Sequence, residues 1–425
     1  MLPFREEQRI ESRYQYLFAT METRHSFQTL LRNCIETTSK FLVAERNSLH
    51  ENHIVVKDIP HLEEVLLSYQ DIESATIENL PNLVRLDLSC SNLKTITLRN
   101  VPKLAKLELA DNRLKRLNLS GFPNLLELEC EENALEELIL SKVPYLRIIN
   151  ANRNALTALD LTDLPRLQTA YFEENPIRTL TLNNLPLLKD FMLKGAEILT
   201  LSLTELPRLE QFDCTKGQLE SLSLRDLPSL YSLNISQNAL ADLRLEDLPS
   251  LSVLHAGSNN LSHLNLSRVP KIHTLGLSNN PMEYFPHQLF PNLTELRIES
   301  NSIKHLQLAD LPLLTIIFAH RGQIQRLTLR NLPRLEQGQF HGNGISEVEC
   351  LDCGRLKHLD FVCNYLTNLD FVRDIPSLTS IWLASNPHVP LAKEYLMENG
   401  QYWRNCLGEV REYLTKTSIN SSDVR

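Results

Sequence analysis

Leucine and isoleucine return on a fixed beat through most of the chain. Prolines mark it: Pro60, Pro81, Pro102, Pro123, Pro144, Pro165, Pro186, Pro207, Pro228, Pro249, Pro270, Pro291, Pro312 and Pro333 stand 21 residues apart, Gly354 takes the next place, and Pro376 follows displaced by one. Counting each proline as zero, apolar residues fall at +2, +5, +7, +12, +15, +17 and +20. In the repeat from Pro228 these are Leu230, Leu233, Ile235, Leu240, Leu243, Leu245 and Leu248. The pairs +5/+7 and +15/+17 alternate as a strand with one buried face does. A helix would need apolar spacings of three and four over about a dozen residues, and a repeat this short has no room for one beside the strand. Each repeat is therefore expected to run strand, turn, strand, turn. The proline falls where the chain leaves the second strand and a missing N–H is tolerated.

The polar positions are periodic too. Asparagine recurs at +10, as in Asn112, Asn133, Asn154, Asn175, Asn238 and Asn301. Its amide can satisfy backbone groups of neighbouring turns, so stacked asparagines predict a ladder inside the coil. Asp or Asn is common at +19 (Asn100, Asp163, Asn184, Asp226, Asp247, Asp310, Asn331), and both favour turns. The string LxxLxLxxNxL from Leu104 to Leu114, with the LxxLxL half that follows to Leu119, resembles the leucine-rich repeat family. Its length is similar to the short class seen mainly in bacterial proteins. That resemblance spans roughly residues 60 to 387 and implies a mainly β solenoid of about sixteen repeats, with strands on both the concave and the convex side. It also implies a protein-binding scaffold. A lone repeat cannot bury enough to offset the entropy of ordering its backbone, so the fold requires stacking.

The ends break the pattern. Ile10, Tyr14, Leu17, Phe18 and Met21, then Phe27, Leu30, Leu31, Cys34 and Ile35, have helical spacing. Leu391, Tyr395 and Leu396, then Trp403, Leu407, Val410 and Leu414, have it again. The expected organisation is a helical N-terminal cap over 1–50, a solenoid over 51–388, and a helical C-terminal cap with a disordered polar tail over 389–425. Caps hide the open ends of a solenoid core. Within the array, Pro286 and His287 replace back-strand residues, which predicts an interruption there. The strings KGAEI, TKGQL and RGQI replace the asparagine with Ala196, Gly217 and Gly322.

Charge narrows the function. A formal net charge of -9 disfavours nucleic acid as a partner, and no apolar run reaches membrane-span length. Four of the eight cysteines (Cys130, Cys214, Cys350, Cys353) occupy core leucine slots, so the CxxC at 350–353 is read as packing. Free thiols and the absence of an export signal predict a cytoplasmic location, which is host cytoplasm if the protein is a secreted bacterial effector. No phosphate loop, GxSxG or HExxH is present. No enzyme activity, cofactor or metal is expected.

If +2, +5 and +7 point inward, +4, +6 and +8 line the front. Two stretches of that face stand out. Asp87, Glu108 and Glu129 make an acidic column at +6, joined by Glu127 and Glu131 and relieved by Arg85 and Lys106, with no burial expected to raise a carboxyl pKa. Ile316, Phe318 and His320, with His341 beside them and Trp382 further on, make an apolar and histidine-bearing patch. Tyr171 and Met192 lie between the two in sequence. Two readings stay open. One is a scaffold that captures a partner protein on its concave face. The other is a regulatory or substrate-adaptor subunit that docks an enzyme through its N-terminal helices.

Overall fold

Residues 26–49, 51–389 and 405–422 are described by the computed structural model. They fall into two compact halves, one ending at Ala196 and one beginning at Glu197. Each half is a coil of short parallel strands. In the first, front strands such as Arg85–Asp87, Lys106–Glu108 and Glu127–Glu129 pair in register, with Leu86, Leu107 and Leu128 aligned. In the second, Glu295–Arg297, Ile316–Phe318, Gln337–Gln339, His358–Asp360 and Ser380–Trp382 do the same. Back strands at +14 to +18, such as Ser74–Glu78 on Thr95–Arg99 and Arg326–Arg330 on Glu347–Leu351, form the opposite side. The expected strand–turn–strand–turn repeat is what forms, and the +5 and +7 side chains, such as Leu86, Leu88, Leu107 and Leu109, are fully buried.

Two features of the repeat acquire a physical reason. At +9 the backbone turns left-handed in repeat after repeat, as at Cys90 (φ 53°), Glu132 (φ 53°) and Cys363 (φ 56°). At +19 it does so again, at Asn79, Asn100, Asp163, Asn184, Asp226, Asp310 and Asn331. Asp and Asn tolerate that region better than other residues with a Cβ. Inside the turn the asparagines form the expected ladder. Asn112 Nδ2 donates to Leu88 O (2.8 Å) and Leu109 O (3.0 Å), and its Oδ1 accepts from Leu93 N–H (2.9 Å). Gln70 takes the same role in the Pro60 repeat, accepting from Leu49 N–H at 3.0 Å and donating to Glu45 O at 2.7 Å. Where Gly322 replaces the asparagine, Asn343 of the next repeat accepts from both Gly322 N–H and Ile324 N–H at 3.1 Å. The variant turn is thus internally satisfied.

The back of the second half is interrupted as expected. Strands run from Thr200–Leu203 to Asn265–Ser267, a 3-10 turn at His287–Leu289 follows, and a new sheet starts at His305–Ala309. A second 3-10 turn, Asp370–Asp374, was not legible.

The ends differ in part from expectation. Helix α1 spans Phe27–Glu36, capped by Ser26, and buries Phe27, Leu30 and Cys34. Ile35, assigned to the same face, is exposed. The front ladder then begins at Phe41–Val43, paired with Glu64–Leu66, inside the segment expected to be a helical cap to residue 50. The Phe-Leu-Val triplet is too short for its alternation to register in the sequence. The helix expected over residues 10–21 lies outside the described residues, as do Leu391, Tyr395, Leu396 and Trp403. Near the other end, Asn405 bridges Trp382, and helix α2, Leu407–Ser422, buries Leu407, Val410 and Leu414. The helix carries Thr415–Ser422, which composition assigned to a disordered tail. Arg373 Nη2 donates to Leu414 O at 2.9 Å and Arg411 Nη2 to Leu378 O at 3.1 Å, which ties the helix to the last turns.

Candidate functional site

The front of the first half corrects the expected acidic column. Asp87 is only 7% exposed and Glu108 6%. Glu108 accepts from Arg85 Nε (2.6 Å) and Nη2 (2.9 Å), and Lys106 Nζ lies 3.1 Å from Glu108, 3.2 Å from Glu129 and 3.7 Å from Glu127. The cations at +4 reach diagonally across the strands and engage the carboxylates. Asp87 has a local reason to be acidic. Its Oδ1 accepts from Ser89 N–H at 2.9 Å, two residues on. Asn150, Asp213, Asn234 and Asp360, all at +6, accept from the +8 N–H in the same way. A short acceptor at +6 therefore caps the turn that follows the front strand, and Asp87 is one of these caps.

Burial, with Glu108 beside it, pushes the Asp87 carboxyl above the usual range, against the pull of Ser89 and Arg85. The folded state then holds its proton more tightly than the unfolded one. Stability from this group is present at acid pH and is lost as pH rises through the folded value. Asp87→Asn keeps an acceptor for Ser89 and removes the buried charge. The variant is expected to match the parent near pH 4 and to be the more stable of the two at pH 7, as urea midpoints at the two pH values will show. Glu131 behaves similarly. Burial first, then Glu129, Glu132 and Glu108, push it up to about 7, and its Oε2 has no hydrogen-bond partner among the described residues.

Glu129, Tyr171 and Met192 are half-buried on the front, and Ile148, at +4, is 37% exposed there. Ile148 was legible by column but was passed over. Burial, with Asp190 and Glu173, raises the Tyr171 phenol.

In the second half, Ile316 and Phe318 are half-buried on either side of buried Ile317. The Arg297 guanidinium lies 4.2 Å over the Phe318 ring while its Nε donates to Glu295 at 2.6 Å. His320 and His341 stack, with ring centroids 4.3 Å apart and planes 9° from parallel. His341 Nδ1 lies 2.7 Å from Asp360 Oδ2, and Asp360 is 3% exposed. Asp360 was missed; its signal was a histidine at +8 followed 19 residues later by an acid at +6. Trp382 is half-buried, its backbone held by Asn405. Val362, at +8 beyond His341, is buried. The thiols of Cys350 and Cys353 are buried, and Cys353 Sγ donates to Leu351 O at 3.4 Å. Among the described residues no group of three or more His, Cys, Asp and Glu is arranged to hold a metal ion.

The structure therefore brings Ile316, Phe318, His320 and His341 together on one face, with Trp382 two strands past Gln339. It separates Asp87 and Glu108 from solvent. No protein-family model matches the chain and no curated protein matches it by sequence. Solved structures do. A leucine-rich repeat protein of Leptospira interrogans is 22% identical, with 79% of this chain and 87% of that chain covered and a TM-score of 0.56. The leucine-rich effector protein YopM of Yersinia pestis is 26% identical, over 84% of this chain and 91% of that chain, with a TM-score of 0.52. Drosophila Toll, solved with Spätzle, is 16% identical over 73% of this chain and 48% of that chain, with a TM-score of 0.61.

Proposed function

We propose that this chain, a leucine-rich repeat protein, is an interaction scaffold that captures a partner protein on the front face of its second half, around Ile316, Phe318 and Trp382. The observation that carries this reading is the chemistry left accessible there. Two large apolar side chains and a tryptophan stay partly exposed on front strands, whereas Asp87 and Glu108 are engaged within the chain. Partly exposed aromatic side chains on a rigid sheet are the usual anchors of protein interfaces. Phe318 is also held in place by Arg297, so little entropy is lost in ordering it on binding. Toll, solved in complex with a protein ligand, and YopM, an effector, support a binding role.

The likeness to YopM supports a finer reading, an effector that works inside a cell other than the one that makes it. Eight free cysteines fit a reducing compartment. A reporter fusion expressed in the source organism and scored for entry into co-cultured eukaryotic cells tests that step. For the face itself, a photo-crosslinker at Gln339 identifies the captured protein. Phe318→Ala with Trp382→Ala is then expected to weaken capture about tenfold or more, as for the loss of two interface anchors. Unchanged capture by the folded double variant would remove this face from the reading.

A further inference from the structure

The second half holds a pair of stacked imidazoles set between two carboxylates, and partner capture at Phe318 and Trp382 does not use it. We infer that His320 and His341 are a proton-operated pair, in which uptake of the second proton parts the rings and loosens the front strand that carries Phe318. The inference rests on the reading that this face binds a partner, and it assigns that face a regulation.

The geometry is asymmetric. His341 Nδ1 lies 2.7 Å from Asp360 Oδ2, and an ionised Asp360 there accepts the ring proton from Nδ1. Asp360 is itself buried and anchored by Val362 N–H at 3.0 Å, so it cannot swing away to serve His320. His320 has a poorer set of partners. Its Nε2 lies 3.8 Å from Glu299 Oε1, beyond hydrogen-bond reach, and its Nδ1 is buried with no hydrogen-bond partner among the described residues. Glu299 is in turn held by Ser278 Oγ. The charged groups that face His320 are His341, Glu299, Arg321 and Asp360. Arg297, two residues before Glu299, is occupied with Glu295 and Phe318.

Burial, then His341 and Arg321, lower the His320 pKa against the opposing pull of Glu299 and Asp360. A neutral ring stacked on its neighbour is thus the form this site favours. With both rings charged, two cations would face each other at 4.3 Å; Asp360 answers His341 at 2.7 Å, whereas Glu299 stands 3.8 Å from His320, too far for a hydrogen bond. Parting the stack turns His320 toward water, two residues past the end of the Ile316–Phe318 strand, and frees that strand end. The sign follows from linkage. The unfolded chain binds the His320 proton more readily than the folded one, so stability falls as pH drops below the ordinary histidine value, about 6.5, and levels off below the folded value.

The experiment is ring-nitrogen NMR on the free full-length chain from pH 8 to 5, with His320→Gln to assign the signals and His341→Gln as the test. The expected result is that His320 titrates below the ordinary histidine range. Its midpoint rises by about one pH unit in His341→Gln, and contacts between the two rings disappear as His320 titrates. An unchanged His320 midpoint in His341→Gln, or ring contacts that persist after both rings are charged, would overturn the inference. Because no partner enters the measurement, its failure is distinct from failure of the capture experiment at Phe318 and Trp382.

Discussion

Asn280→Ala is expected to destabilise the second half by about 3–5 kcal/mol, far more than loss of one surface amide. Asn280 is 3% exposed. Its Oδ1 accepts from Leu261 N–H at 2.9 Å, and its Nδ2 donates to Ala256 O and Leu277 O, both at 3.0 Å. The carbonyls have a second donor each, because Asn259 also bonds Ala256 O and Asn301 also bonds Leu277 O. Leu261 N–H has Asn280 alone, so alanine leaves that buried donor unpaired. An orphaned buried donor costs about 1–3 kcal/mol and each further lost bond about 1. Asn260, the next residue along from Asn259, is the control. It is exposed and makes one long contact, Nδ2 to Ala239 O at 3.3 Å. Asn260→Ala is expected to cost under about 1 kcal/mol. Urea unfolding of the two variants, compared by midpoint at constant slope, checks the difference. Equal midpoints would mean that the ladder is not what holds the turns.

That ladder was legible because period and chemistry agree: one residue type, at one place in each turn, with both donor and acceptor on a short stem. The same agreement made the front and back strands legible, since leucines two apart have one pleated solution. The break at Pro286 was legible because proline removes a ladder donor. What escaped notice depends on geometry between repeats. Asp87 and Glu108 read as a surface column because the period puts +6 on the front, but Arg85 reaches across to Glu108, Lys106 meets Glu108 along its own strand, and Asp87 accepts from Ser89 N–H. Asp360 was missed because its partner is a diagonal neighbour on the next turn. Phe41–Val43 is too short to show alternation, so the ladder starts earlier than the pattern does. The polar tail joined α2 because its anchor, Leu407, Val410 and Leu414, lies upstream, and composition alone does not report what the preceding turns of a helix are docked to.

A second large effect is expected from restoring a consensus residue. Gly338 occupies a +5 slot where leucine is the commonest residue, standing in eight of the sixteen repeats. A Cβ built there would stand 2.5 Å from Phe340 Cε2 and 3.2 Å from Leu359 Cδ2. The Phe340 ring fills the space a leucine would take. It cannot retreat, because it stacks on Phe361 at 5.5 Å, and Phe361 meets the edge of Phe371 at 5.6 Å. At this pair a small +5 residue is matched by a large +7 one, as at Ala170 with Phe172. Gly338→Leu alone is therefore expected to cost about 3 kcal/mol through overpacking, although it matches the repeat better. Phe340→Leu alone leaves a void and costs about 1–2 kcal/mol. Together they recreate the ordinary leucine pair, and the double variant is expected within about 1 kcal/mol of the parent, a strongly favourable coupling between residues in contact. Additive losses in that cycle would mean that the slot is set by the backbone at Gly338 and not by the ring beside it. The exchange of volume between Gly338 and Phe340 would then be withdrawn.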